Sequence, residues 1–163
     1  MGQAVRAFFA LPVPDAARGE LISAQQRMKG VDARQLLLRW SREEQLHLTL
    51  KFLGDVEPDR IAELCALGAR RGAQYAPIDT RTTGVIAFGG ASRARALVAE
   101  IDRHSALMQL YSALEADAEA LGIAREVRAF RPHVTLARLK RPANARPLLE
   151  AAALLELPIA FTE

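Results

Sequence analysis

The chain has 163 residues, half of them hydrophobic and a quarter charged, a length and balance that suit one soluble domain burying roughly two-thirds of its unfolded surface. Lys and Arg number 22 against 19 Asp and Glu, a formal net charge of +3, which admits an anionic substrate without requiring one. No run approaches the roughly 18 apolar residues a membrane span needs, and the single cysteine, Cys65, excludes an intrachain disulfide and a thiolate metal cluster.

The opening Met1-Gly2-Gln3-Ala4-Val5-Arg6 lacks a basic region followed by an apolar core, and Arg6 stands where N-myristoylation needs Ser or Thr. Neither a signal peptide nor an acyl anchor is therefore expected, and cytoplasmic residence is the default. Val5 to Leu11 reads as a buried strand stopped by Pro12-Val13-Pro14. Asp15 is placed to cap a helix carrying Ala17, Leu21, Ala24 and Met28 on one face. Leu36 to Trp40 reads as a second strand, with Trp40 as packing. The polar stretch Ser41 to Gln45 then leads into an alternating strand, His47 to Leu53. Pro58 opens a helix running to about Arg71, inside which Cys65 reads as a buried structural thiol. Thr80 to Phe88 and Ala94 to Ile101 read as strands joined by the turn Gly89-Gly90-Ala91-Ser92. His104 reads as a structural residue before the helix start, and Ser105 as the cap of an amphipathic helix with Leu107, Leu110, Tyr111, Leu114, Ala118 and Leu121 at helical spacing. Gly122 ends that helix. Phe130 to Leu139 is a further strand region, and Pro147 opens a short helix that stops before Pro158. No Gly/Ser-rich linker or charge block divides the chain, so residues 1–163 are expected to form one α+β domain.

One segment repeats. His47-Leu48-Thr49-Leu50 returns as His133-Val134-Thr135-Leu136 after about half the chain, which makes two similar lobes plausible. Strand alternation puts His47, Thr49 and Lys51 on one face and Leu48, Leu50 and Phe52 on the other; it likewise pairs His133 with Thr135 and Val134 with Leu136. The apolar face anchors each strand, and the His/Thr face addresses something other than core. Imidazole and hydroxyl stand about 7 Å apart along each strand, a spacing at which one tetrahedral phosphate can meet both. Two such strands side by side would flank a phosphate with two imidazoles. In-line displacement at phosphorus needs that pair, a base for the nucleophile and an acid for the leaving oxygen. Imidazole titrates near neutrality and can serve as either. Lys51 on the His47 face either meets the phosphate or is merely solvated. A metal at these histidines would need a third ligand at tight spacing; no carboxylate cluster accompanies either motif, so no metal or other cofactor is expected.

His47-Leu48-Thr49-Leu50-Lys51-Phe52-Leu53-Gly54 and Phe130-Arg131-Pro132-His133-Val134-Thr135-Leu136-Ala137-Arg138 resemble the paired motifs of the two-histidine (2H) phosphoesterases. More narrowly, they resemble the bacterial RNA 2′,3′-cyclic phosphodiesterases, also called 2′-5′ RNA ligases. Arg6 to Pro12 and Leu38-Arg39-Trp40 are also similar to that family. The resemblance implies a bilobal α+β fold, two pseudo-symmetric antiparallel-sheet lobes with helices outside and a central cleft. It implies hydrolysis of a terminal 2′,3′-cyclic phosphate to a 2′-phosphate, with reversible ATP-independent 2′-5′ joining as a further activity. His133 is then the base and His47 the acid; the sequence itself is symmetric on this order. Thr49 and Thr135 would bind the phosphate. Arg138 and Phe8 match positions that contact or stack on the terminal nucleotide, and Arg131 fills a slot that need not be Arg across the family. Family members usually continue with further strands beyond the stretch matching Pro158 to Glu163, so the resemblance implies that those strands are missing here.

The expected partner is RNA ending in a 2′,3′-cyclic phosphate or carrying a 2′-5′ linkage, tRNA fragments among the candidates, acted on by a monomer away from membranes. Two alternatives stand beside this reading. One is a phosphodiesterase for a small cyclic phosphate such as an ADP-ribose cyclic phosphate, which predicts a closed pocket. The other is a non-catalytic module that binds RNA ends; His and Thr in both copies count against it, because binding alone needs no matched acid and base.

Overall fold

The apolar N-terminal run and the first histidine segment pair with each other, and they form one half of a sheet. In the computed structural model, which describes residues 2–31, 36–152 and 158–161, strand β1 (Val5–Pro12) lies antiparallel to β3 (His47–Val56). Between them run helix α1 (Asp15–Lys29) and the three-residue strand β2 (Leu38–Trp40). A short 3-10 turn from Pro58 leads into α2 (Ile61–Gly72). The second half holds β4 (Ile78–Phe88), β5 (Ala94–Ile101), α3 (Ser105–Ala120), β6 (His133–Ala143), α4 (Arg146–Ala152) and β7 (Pro158–Phe161).

The strands form one sheet in the order β1-β3-β6-β5-β4-β7, with β2 also paired to β6 and every pairing antiparallel. The halves meet at a single register pair, Leu48 opposite Val134. Past it β3 leaves β6, and β2 takes over the same edge from Ala137 to Leu139. The expected two lobes are therefore joined at a narrow waist in one antiparallel sheet. The helices cross between halves. α1, which follows β1, packs against α4 and the β6 side, whereas α3, which follows β5, packs against β3 and α2. Each lobe's sheet is thus backed by a helix from the other, which ties the two together more firmly than the one strand contact.

Leu21, Met28, Leu48, Leu97, Ile101, Leu107, Leu136 and Leu148 are completely buried between sheet and helices, each contributing roughly 1.5–3 kcal/mol of transfer free energy. A smaller cluster, Leu53, Val56, Leu64 and Ala118, fills the first lobe. There α2 approaches β1 so closely that a Cβ on Gly68 would lie 2.8 Å from the Phe9 ring. α3 ends as expected at Gly122, which takes φ +84°. The N–H of Ile123 reaches the Ala118 carbonyl at 2.9 Å and that of Gly122 the Glu119 carbonyl at 3.0 Å, a Schellman closure.

Several expectations are corrected locally. Cys65 is exposed, because the buried stripe of α2 runs through Leu64 and Leu67 and a residue one step on from Leu64 is turned about 100° away. Asp15 is the first helical residue instead of the cap and pairs with Arg18 at 3.0 Å. The cap of α3 is His104, whose Nδ1 accepts from the Ala106 N–H at 3.2 Å, one residue before the expected Ser105. The end of the short helix expected before Pro158 falls outside the described residues. Among those described, no helix is long and apolar enough to cross a membrane.

Candidate active site

His47 and Thr49 on β3, and His133 and Thr135 on β6, are all half-buried, while their neighbours Leu48, Leu50, Val134 and Leu136 are buried on the opposite face. Continuing the antiparallel register one residue either side of the Leu48–Val134 pair sets His47 beside Thr135 and Thr49 beside His133. Each histidine therefore faces the threonine of the other motif across a pseudo-two-fold. The two imidazoles become diagonal neighbours, on residues about 7–8 Å apart. A phosphate between them would meet one imidazole on each side.

The Nδ1 of His133 lies 2.6 Å from the Arg131 carbonyl oxygen. A carbonyl only accepts, so this nitrogen carries the proton and Nε2 presents a lone pair when the ring is neutral. The backbone of Gln45, two residues before His47, likewise favours the protonated form of that ring. A phenylalanine flanks each ring. Phe8 stacks on His47 with centroids 4.9 Å apart, and Phe88 meets His133 edge-on at 4.6 Å. Burial pushes the His47 pKa below its ordinary value, against the opposing effect of the Gln45 carbonyl. Burial also pushes His133 down; the Arg131 carbonyl opposes this, the charges of Arg138 and Arg131 reinforce it, and Glu100 opposes it.

Simple alternation fails just past each threonine, at equivalent places. Phe9 and Ala10 of β1 lie opposite Lys51 and Thr49, so Leu50 is an extra residue. Leu97 and Val98 of β5 lie opposite Ala137 and Thr135, so Leu136 is extra. Such a bulge shifts the pleat by one residue. Lys51, expected on the His47 face, is consequently turned to the core side and is 4% exposed; its Nζ lies 3.0 Å from Glu115 of α3 and donates to the Ala124 carbonyl at 2.7 Å. Phe52, expected on the core face, is instead 61% exposed, with its ring 6.1 Å from Phe8. On β6 the same slip turns Ala137 inward and leaves Arg138 exposed on the His133 face. The Arg131 side chain is engaged outside the waist, 3.1 Å from Glu100 and with its guanidinium 5.1 Å from the Phe88 ring centre.

The β6 bulge is clamped from behind. Ser41 donates through Oγ to the Thr135 carbonyl at 2.8 Å and through its N–H to the Leu136 carbonyl at 2.9 Å. Buried Gln25 of α1 donates its amide to the Ser41 and Leu136 carbonyls at 2.9 and 3.0 Å. Sequence reasoning missed Gln25, Ser41, Glu115, Phe52 and Phe88. Only Gln25 left a signal, as a polar residue next to Ala24 and three positions before Met28 on the apolar face of α1. Among the described residues, no three His, Cys, Asp or Glu side chains converge as a metal ion would require.

Two His-x-Thr strands set crosswise at the waist of a two-lobed antiparallel sheet define a two-histidine phosphoesterase. Residues 13–162 match the sequence model of the 2′-5′ RNA ligase superfamily, and the chain belongs to that family. It is similar to an RNA 2′,3′-cyclic phosphodiesterase of Geobacillus stearothermophilus, at 33% identity over 132 residues, 80% of this chain and 41% of that protein. A protein of the same name from Thermus thermophilus is 32% identical over 151 residues, 88% of this chain and 73% of that one. The chain thus spans less than half the length of the first relative and nearly three-quarters of the second. The crystal structure of TT0787 from Thermus thermophilus superposes with a TM-score of 0.75 at 28% identity, covering 95% of this chain and 84% of that one.

Proposed function

We propose that the protein is an RNA 2′,3′-cyclic phosphodiesterase that opens a terminal cyclic phosphate to a 2′-phosphate by histidine acid-base catalysis. The observation that carries this reading is the crosswise pair of imidazoles, with His133 tied through Nδ1 to the Arg131 carbonyl behind it. His133, with Nδ1–H held by Arg131, takes a proton from water at Nε2 as the water oxygen bonds to phosphorus. The P–O3′ bond breaks on the far side, and protonated His47 delivers its proton to O3′. Exchange with solvent then returns each ring to its starting state. Thr49 and Thr135 donate to the non-bridging oxygens, and Arg138 offsets the charge gathering there. Phe8 and Phe52, exposed beside His47, offer the terminal base an aromatic surface. With a 5′-hydroxyl in place of water as the nucleophile, the same steps join RNA ends through a 2′-5′ bond, and run backwards they cleave that bond and restore the cyclic phosphate. Because histidine and threonine chemistry suffices, the cycle uses no cofactor.

The reading is tested by incubating the purified protein, in EDTA, with an RNA oligonucleotide ending in a 2′,3′-cyclic phosphate. Conversion to a 2′-phosphate with a free 3′-hydroxyl is the expected result. A 3′-phosphate product would reverse the side of cleavage. An activity that vanished in EDTA and returned with added metal would overturn the metal-free mechanism.

The titration of the two rings sets the pH dependence. The free enzyme is active when one imidazole is neutral and the other protonated, a population that peaks midway between the two pKa values. Both lie below the ordinary 6.5 of histidine, so kcat/KM should trace a bell with its maximum below pH 6.5. A bound phosphate anion favours the protonated acid, so kcat should hold up to higher pH than kcat/KM does. A kcat/KM maximum at pH 7 or above would contradict the assignment.

A further inference from the structure

β2 supplies nothing to the histidine motifs, yet it pairs with β6 immediately past them. Leu38 lies opposite Leu139, Arg39 opposite Arg138 and Trp40 opposite Ala137. Directly opposed residues in an antiparallel ladder project to the same face. Leu38 and Trp40 pack on the core, the latter with Lys29 Nζ 5.4 Å from its ring centre. That anchoring turns Arg39 outward, where it is exposed like Arg138. Because the bulge at Leu136 has brought Arg138 round to the face of His133 and Thr135, Arg39 stands there with it. Lys140, whose N–H donates to the Leu37 carbonyl at 3.0 Å, is the next exposed side chain along that face of β6.

Like charges set directly opposite across a ladder destabilise it. Among the described residues, no carboxylate lies within ion-pairing distance of Arg39, Arg138 or Lys140. Arg131, beside His133, is by contrast paired with Glu100. The unpaired group also begins at a definite distance from the chemistry. Thr135 and Arg138 lie opposite Val98 and Ala96, two β5 residues apart, which is about 7 Å along the sheet.

We propose that Arg39, acting with Arg138 and Lys140, forms a subsite for the internucleotide phosphates of the RNA strand leading up to the reacting end. This rests on the RNA phosphodiesterase reading given above. The cyclic phosphate sits between the imidazoles at the waist, and the nucleotides preceding it run out along the β2–β6 seam. Arg138 faces the reacting phosphate, the Arg39 fork beside it takes the first phosphodiester as a bidentate anion, and Lys140 takes the next as a point charge. The enzyme is therefore built for a polymer end in preference to a free cyclic nucleotide.

The test compares kcat/KM for a nucleoside 2′,3′-cyclic phosphate with that for a di- and a trinucleotide ending in the same group. The wild-type protein should prefer the longer substrates, and Arg39→Ala should cut that preference by about tenfold, with Arg39→Lys intermediate. The slope of log binding affinity for the trinucleotide against log salt, measured in a His133→Ala background, should become shallower by about 0.7 when Arg39 is removed, the loss expected for one phosphate contact on a single strand. An unchanged length preference and salt slope in Arg39→Ala would overturn the subsite. Equal losses on all three substrates would also overturn it, by placing Arg39 at the reacting phosphate or in the fold. If the wild-type protein turned over none of the substrates, the phosphodiesterase reading would fall, and the salt slope would still decide whether Arg39 holds an RNA phosphate.

Discussion

Replacing His133 or His47 by alanine should leave a folded protein whose turnover of a terminal cyclic phosphate falls by about 100-fold to 10,000-fold, the usual cost of losing a positioned acid or base. Folding should survive, because both rings are only half-buried and the strands that carry them are anchored by the opposite, apolar face through Leu48, Leu50, Val134 and Leu136. The two variants are not equivalent. A base must be neutral to act, so the fall in kcat/KM toward acid belongs to His133 and should flatten in His133→Ala. An acid must be protonated, so the fall toward alkali belongs to His47 and should flatten in His47→Ala. Leaving-group chemistry separates them again. With a leaving group as acidic as a nitrophenol, expulsion needs little protonation, so the deficit of His47→Ala should shrink while that of His133→Ala persists. If the two limbs vanished in the opposite variants, the roles would be exchanged within the same mechanism. If either variant kept the wild-type rate, the acid-base pair itself would be refuted.

A symmetric pair of motifs can hold asymmetric protonation because its two rings sit in different surroundings. His133 spends Nδ1–H on the Arg131 carbonyl, which leaves its Nε2 free for chemistry, and the two rings differ in what surrounds them. His133 has Arg138, Arg131 and Glu100 within electrostatic reach, and the net effect of burial and these charges lowers its pKa. For His47, burial opposed by the Gln45 bond describes the balance. Two positive side chains beside His133 favour its neutral form, which is the form a base needs. That local charge asymmetry supports the order His133 base, His47 acid, for which the sequence repeat offers no argument.

The repeat of His-x-Thr, with alternating apolar neighbours, was enough to read the two strands, their buried faces and the four side chains at the waist. Most element boundaries followed from Pro and Gly positions, because those residues act through local backbone geometry. The misreadings at the site share one cause. Strict alternation carried Lys51 onto the His47 face and Phe52 into the core, and an inserted residue at Leu50 reversed both. A bulge is specified by the partner strand and by what holds it from behind, here Gln25 and Ser41 at the equivalent β6 position. These contacts join residues separated by 111 and 94 positions, a range no local pattern reports. Cys65 fails for a simpler reason, since the narrow buried stripe of α2 excludes it. The Arg39–Arg138 pairing was equally hidden, because it depends on β2 and β6 being neighbours and on the bulge that turns Arg138 outward.

Lys51 should prove to be one of the most costly single positions in the chain to change, and for structural reasons. Its ammonium is nearly inaccessible and is held by Glu115, itself 4% exposed, and by the Ala124 carbonyl. The other carboxylate oxygen of Glu115 accepts the Glu126 N–H at 3.1 Å. Together they fasten β3 and α3 to the segment 122–132 that delivers Arg131 and His133. Lys51→Met would strand a carboxylate and a carbonyl in the interior, at a cost of about 3–5 kcal/mol. For a chain of this size that lowers Tm by roughly 6–20 °C. The double change Lys51→Met with Glu115→Leu removes both charges and should recover most of the loss, because replacing a buried pair with well-packed apolar groups is often neutral. Activity measured well below the transition distinguishes this from a role at the phosphate. A lysine on the phosphate would leave the double variant as impaired as the single one. A lysine that only secures the approach to His133 gives a double variant with near-wild-type kcat and KM. A cost below about 1 kcal/mol for Lys51→Met would put the pair among solvent-screened surface contacts, contrary to its burial.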